Sequence, residues 1–256
     1  MLSWFKKFLT KIFRTQKFRQ KISSEKDSFS FYPEYPFSFF EGDRLNPKKS
    51  FFEQYSKSAY FSKTENDLAD VIQNRGSLGE LQACFELEKA FPSKCIFPNV
   101  YVEWDVGKTS EIDVILLLPC GLFVLEYKNY SGSVYGKDDF QNWLYYLGKQ
   151  KYEFYNPILQ NRGHLNAIKS LFPYISEQYI IPIVVFSNRC ELHIQTKYLV
   201  TQRQNLIGLI DDISSSLPIV FSSNEMCTIS NTLLMHLLPS DDVKKNHIDY
   251  VKTKNK

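Results

Sequence analysis

Glu126 and Lys128 stand two residues apart near the end of an apolar run, GLFVLEYKNYSG at 121–132. A carboxylate and an ammonium in a buried strand need partners, because an unpaired charge is costly away from water. Side chains alternate along a strand, so Leu122, Val124, Glu126 and Lys128 share one face, while Phe123, Leu125 and Tyr127 share the other. The preceding strand, SEIDVILLLP at 110–119, carries Asp113 on the face of Ile115 and Leu117. Counting from the Pro-Cys-Gly turn and allowing one residue of register error, Asp113 and Glu126 are cross-strand neighbours. Two such carboxylates repel unless something positive sits between them, and either a divalent cation or Lys128 meets that need.

Two helices add polar groups to apolar faces. In SLGELQACFELEKAF (77–91), Leu78, Leu81, Cys84, Phe85, Leu87 and Phe91 form the apolar arc, and Glu80 and Glu88 both fall inside it. In NPILQNRGHLNAIKSLF (156–172), Gln160 and His164 lie on the face of Ile158, Leu165, Ile168 and Leu171, with Asn156 as N-cap and Pro157 at the first helical position. Taken singly, each has an ordinary structural reading. Glu-x-Lys is a common ion pair, a lone His is most often a hydrogen-bonded core or surface residue, and Glu88 reads as a half-exposed helix-end acid. What points to chemistry is Glu80, Asp113, Glu126 and Lys128 in that order on consecutive elements.

Those elements set the architecture. A helix at 77–91, strands at 95–104, 110–119 and 120–130, a helix at 156–172 and a strand at 180–187 imply a mixed sheet flanked by helices, of α/β or α+β class. GSVYG, WLYYLG and KYEFY read as a hairpin between the third strand and the second helix. Short strands near CELHI and YLV and two helices near 203–215 and 224–237 follow, and 241–256 reads as a frayed tail. The 256 residues, 43% hydrophobic and 16% aromatic, suffice for one sizeable core.

The N-terminal quarter differs. Residues 1–21 hold seven of the 31 basic residues and no acid, leaving 24 bases against 28 acids and a formal charge of about −4 for the rest. No general nucleic-acid-binding surface follows from the net charge of +3, although a local basic groove does not conflict with it. On a helical wheel Leu2, Trp4, Phe5, Phe8, Leu9, Ile12 and Phe13 oppose Lys6, Lys7, Lys11 and Arg14. That pattern suits a helix in the interface of an anionic membrane, or one docked on the domain or a partner. Residues 22–65, rich in Ser, Phe, Tyr and Pro, read as an irregular linker with a short helix near 51–61. No run reaches the roughly 18 apolar residues of a membrane-spanning helix. Five scattered cysteines without a CxxC pair argue against a disulfide framework or a structural zinc site and favour a cytoplasmic setting.

The chain resembles the nuclease-related domain (NERD) family of the PD-(D/E)XK nuclease superfamily. The resemblance rests on GSLGE at 76–80, FPNVYVEW at 97–104, TSEID at 109–113, GLFVLEYKNYSG at 121–132, Trp143, NPILQN at 156–161 and IPIVVFS at 181–187. It covers about residues 76–190, within a nuclease-like domain expected over 66–240. It implies a restriction-endonuclease-like αβββαβ core and hydrolysis of nucleic-acid phosphodiester bonds, with DNA the expected substrate. It matches Asp113 and Glu126 to the metal-binding acids, Lys128 to the catalytic lysine, Glu80 to the first-helix glutamate and Gln160 to the second-helix glutamine. Thr109 and Asn129 match positions of structural role. Mg²⁺ or Mn²⁺ is the expected cofactor, bound by Asp113, Glu126 and Glu80, with the Tyr127 carbonyl as a further oxygen ligand.

Overall fold

A computed structural model describes residues 47–105, 108–240 and 243. The chain divides into two units, residues 1–51 and 52–256, and, apart from residues 47–51 of the first helix, the architecture that follows is that of the second. The amphipathic stretch 2–14 and nearly all of the tail at 241–256 lie outside the described residues.

Four helices come first: α1 (Pro47–Ser56), α2 (Ala59–Thr64), α3 (Leu68–Gln73) and α4 (Arg75–Glu88). Part of the stretch expected as an irregular linker is therefore helical. Ser58 caps α2 by accepting from the Phe61 N–H, and Tyr60 is fully buried as α2 packs on α4 and the first strand. Of its described aromatics, Tyr55 and Tyr60 are buried, whereas Phe52 and Phe61 are exposed. Asn74 caps α4 through the Gly76 and Ser77 N–H groups.

The five-stranded sheet has strands β1 (Ile96–Asp105), β2 (Lys108–Leu118), β3 (Gly121–Lys128), β7 (Ile180–Phe186) and β9 (Leu199–Gln202), in that spatial order. The first three are antiparallel, and β7 and β9 join in parallel. Between β3 and β7 in the chain come β4 (Gly132–Lys137), β5 (Asn142–Leu147), β6 (Gln150–Tyr155) and α5 (Pro157–Leu171). The expected αβββαβ order is thus α4, β1–β3, α5 and β7. β8 (Cys190–Gln195), α6 (Leu206–Ser214) and α7 (Ser223–Met235) complete the described chain.

The central strand β3 is buried along its length up to Lys128. Its two faces meet different helices. Tyr127 turns towards α4, and a Cβ on Gly79 would stand 2.7 Å from its ring, so glycine sets how closely α4 approaches β3. Leu122 and Val124 turn the other way, into a core shared with Ala167 and Ile168 of α5. There the buried Asn161 ties α5 to the sheet by donating to the carbonyls of Val124 and Ile183 at 3.1 and 3.3 Å.

The strands expected as a hairpin extension form a sheet of their own, ordered β6-β5-β4-β8, with β8 parallel to β4. A parallel pair requires a long crossover, and no local sequence signal announces it. Trp143 joins this sheet to the first. It is fully buried, stacks at 6.3 Å on Phe186 of β7 and donates its indole N–H to the Lys137 carbonyl at 2.9 Å.

Candidate active site

The β2–β3 ladder runs from Leu118–Gly121 to Val114–Leu125. The next step in that register is Asp113 opposite Glu126, so the two acids flank the point where the ladder stops. The Asp113 carboxylate turns into that opening and accepts the Tyr127 N–H at 2.7 Å. On the α5 face, Lys128 Nζ meets Glu126 Oε1 at 2.7 Å and donates to Gln160 Oε1 at 2.9 Å. Glu126, Lys128 and Gln160 are therefore one connected group, built by strand alternation and one turn of α5.

Beneath it lies a contact the sequence did not single out. His164, one helical turn beyond Gln160, places Nε2 2.8 Å from Glu126 Oε2 and Nδ1 2.8 Å from Ser110 Oγ. An ionised carboxylate only accepts, so Nε2 donates to Glu126, and with the ring neutral the Ser110 hydroxyl donates to Nδ1. Glu126, 1% exposed, is held at both oxygens. The i, i+4 spacing of Gln160 and His164 was the available signal. Ser110 had none, because its approach to α5 is purely tertiary.

Glu80 and Glu88, indistinguishable by helix periodicity, separate cleanly. Glu88 accepts the Ala59 N–H at 2.6 Å and the Ser93 hydroxyl at 2.9 Å, which is a structural duty at the start of α2. Glu80, half-buried beside Gly79, accepts from the Tyr60 hydroxyl at 3.3 Å. Asn129 is also structural: it donates to the Arg75 carbonyl at 2.9 Å and accepts from Arg189 at 2.8 Å.

The electrostatics follow from crowding. Burial, then the Glu126 and Glu80 charges, push the Asp113 carboxyl well above its ordinary value. Burial, then Glu111 and Glu126, raise Glu80 to about 7. For Glu126 burial acts upwards too, but Lys128 and His164 outweigh it and hold its pKa low. Burial disfavours the Lys128 ammonium, yet Glu126 and Asp113 outweigh that and raise its pKa. Glu126 and Lys128 form a settled ion pair, while the pair leaves Asp113 and Glu80 crowded towards their protonated forms.

A divalent cation would favour the charged forms of these crowded hard-oxygen acids, so the residues fit a Mg²⁺ or Mn²⁺ ion by type. As the side chains stand, no group of three or more His, Cys, Asp or Glu among the described residues is placed to hold a metal. The engagement of both Glu126 oxygens accounts for part of this. Tyr127 meets Asp113 through its N–H.

A family model described as nuclease-related domain matches residues 75–187, close to the span 76–190 read from the motifs. An uncharacterised protein of Bacillus anthracis is 29% identical over 188 residues, covering 70% of this chain and 85% of that protein. No solved structure matches the chain. The family match implies nucleic acid as the general class of partner. No helix among the described residues is long and apolar enough to cross a membrane.

Proposed function

The chain carries a nuclease-related domain of the PD-(D/E)XK type over residues 75–187, and on that premise we propose that it hydrolyses phosphodiester bonds of nucleic acid, DNA foremost. The observation that carries this reading is the meeting of Asp113, Glu126 and Lys128 at the open end of the β2–β3 ladder, with Gln160 on the lysine. Asp113, Glu126 and Glu80 would hold Mg²⁺ or Mn²⁺, with the Tyr127 carbonyl as a further oxygen. A divalent ion at such a site supplies an activated water and offsets charge on the phosphate.

The side chains divide the remaining work. Lys128, with 16% of its side chain exposed, is the cation able to meet an incoming phosphate oxygen or orient the attacking water. Gln160 keeps the ammonium from lying wholly against Glu126, because it draws Nζ towards α5. His164 fixes the rotamer of Glu126 from below. The Tyr127 N–H fixes Asp113.

Full-length protein incubated with plasmid DNA, single-stranded DNA and RNA should cut with Mg²⁺ or Mn²⁺ and not in chelator. Asp113→Asn and Lys128→Ala should each lower the rate about a thousandfold or more. Intact substrate under every divalent ion would remove the catalytic reading.

A second reading has its own support in the closure of Glu126 between Lys128 and His164. On it the domain binds nucleic acid or a membrane without cutting, and binding survives Asp113→Ala. Either reading allows a tether at the inner face of an anionic membrane through residues 2–14, supported by their opposed apolar and basic faces. Deleting residues 1–21 should then abolish co-sedimentation with phosphatidylserine vesicles, and unchanged co-sedimentation would exclude the tether.

A further inference from the structure

The four-stranded sheet carries a feature that the catalytic reading leaves unused. Tyr130, two residues beyond Lys128, stacks on Tyr145 of β5 at 4.7 Å with ring planes 11° apart. Tyr145 in turn stacks on Tyr152 of β6 at 4.9 Å and 15°. Three tyrosines thus form a ladder whose inner end lies beside the candidate site. Its outer end, Tyr152, is 38% exposed.

The strands that carry the ladder are unusually open. β6 is the edge strand, and residues 150–153 are all exposed. The β5–β6 turn passes through Gly148 at φ +61°, with Lys149 following it and Lys151 one residue before Tyr152. The hairpin is therefore a projecting arm with ammonium groups near its tip and a stack of rings running back towards Lys128. Tyr130 is near enough to Lys128 for the ammonium to favour its ionised form, although burial still raises that phenol.

An ordinary account exists for each part. Lysines on an edge strand discourage pairing with another chain, and aromatic cross-strand pairs stabilise hairpins. Neither account explains why the stack begins at the lysine of the site and ends at an open ring. Two stacking steps of 4.7 and 4.9 Å are a length that about three nucleotides cover at roughly 3.4 Å per stacked step. An open tyrosine at the end of such a row offers a face to an unpaired base, while Lys151 turns to the opposite face of β6, where it pairs with Glu153 at 3.6 Å.

We propose that the β5–β6 arm is the grip for a single-stranded segment of the nucleic acid, with an unpaired base stacked on Tyr152 at the open end of the tyrosine ladder. The inference rests on the nuclease reading for the position of the cut phosphate and deepens it by naming the substrate's form. Duplex ends would be engaged only where they fray, because paired bases present no free face.

The test separates grip from chemistry. Binding of a fluorescein-labelled oligothymidylate of about 20 nucleotides, and of a duplex of the same length, is followed by anisotropy with the full chain in Ca²⁺. Hydrolysis of bis(p-nitrophenyl) phosphate, too small to reach the arm, is followed in Mn²⁺. Tyr152→Ala should weaken single-strand binding about tenfold, and Tyr152→Phe should restore it. Neither Tyr152 variant should change diester hydrolysis. A Tyr152→Ala variant that binds the single strand as tightly as the unaltered chain would overturn the proposal, and so would an unaltered chain that binds no single strand. Arm-dependent binding without diester hydrolysis would uphold the grip and remove the catalytic reading alone.

Discussion

The two sheets handle their polar and aromatic groups in opposite ways. In the five-stranded sheet, Glu126 and Lys128 sit where the strands end, and each is tied to at least two neighbours. In the four-stranded sheet, the rings of Tyr145 and Tyr152 stack at an edge, beside side chains open to solvent. The first arrangement suits chemistry, because a buried, fully partnered network holds few geometries. The second suits contact with something variable in shape. If the contrast is real, damage to one sheet should leave the signature of the other intact.

The largest effect on stability is expected at the joint between them. Trp143→Ala removes a fully buried side chain that stacks on Phe186 and lies against Gly136, and should cost about 3–5 kcal/mol. Urea unfolding would measure it. The sharper comparison comes from conditions in which the variant is still folded: diester hydrolysis should persist while oligothymidylate binding falls. Equal loss of both would mean that the sheets work as one surface.

His164→Ala is the counterpart in the first sheet. It leaves Glu126 Oε2 buried without its donor, which costs about 1–3 kcal/mol. Glu126 would then be free to settle further onto Lys128, so cleavage should fall about tenfold with little change in oligothymidylate affinity. His164→Gln, which keeps a donor at a similar reach, should recover part of the rate. A variant stable and active as the original would show that the imidazole only fills space.

Gly79→Ala tests the approach of α4. The added Cβ would meet the Tyr127 ring at 2.7 Å, so α4 or the ring must shift, with a cost of about 1–3 kcal/mol. Because Glu80 is the next residue, the shift also moves a carboxylate of the site. Cleavage should drop more than the stability loss alone explains, and the small diester should report it as clearly as DNA does.

Much of the first sheet was legible in the sequence because its signals are local. Strand alternation put Glu126 and Lys128 on one face, the Pro-Cys-Gly turn set the register that brings Asp113 opposite Glu126, and Asn156-Pro157 marked the start of α5. The rest depends on contacts distant in sequence. Tyr60 reaches Glu80 from a short helix expected within a linker, Ser110 reaches His164 across the core, and β8 pairs with β4 after a long excursion. Periodicity could not tell Glu80 from Glu88, since both lie on the same arc of α4. Only their partners on α2 distinguish them. The tyrosine ladder was hidden for the same reason: Tyr130, Tyr145 and Tyr152 have no common spacing until β5 and β6 fold back beside the end of β3.

The smallest effect concerns pH and bears on the first sheet alone. Glu80 is raised from an ordinary 4.5 to about 7 by burial and its acidic neighbours, and Asp113 is raised for similar reasons. A carboxyl that binds its proton more tightly in the folded state stabilises the fold below its unfolded value. That contribution is lost as pH rises through the folded value. Glu126, whose pKa is lowered, acts in the opposite sense and at more acidic pH. Between about pH 4.5 and 7, therefore, the metal-free protein should lose stability as pH rises, read as a falling Tm. Glu80→Gln should flatten that slope, since the amide has no charge to gain. Added Mg²⁺ should raise Tm more at pH 8 than at pH 5, because an ion binds the deprotonated carboxylates of the fold. Variants of the tyrosine ladder should follow the unaltered chain throughout. A Tm that rises with pH in chelator, with Glu80→Gln running parallel to it, would mean that these acids do not crowd one another, and the electrostatic case for a divalent ion at the ladder's end would go with them.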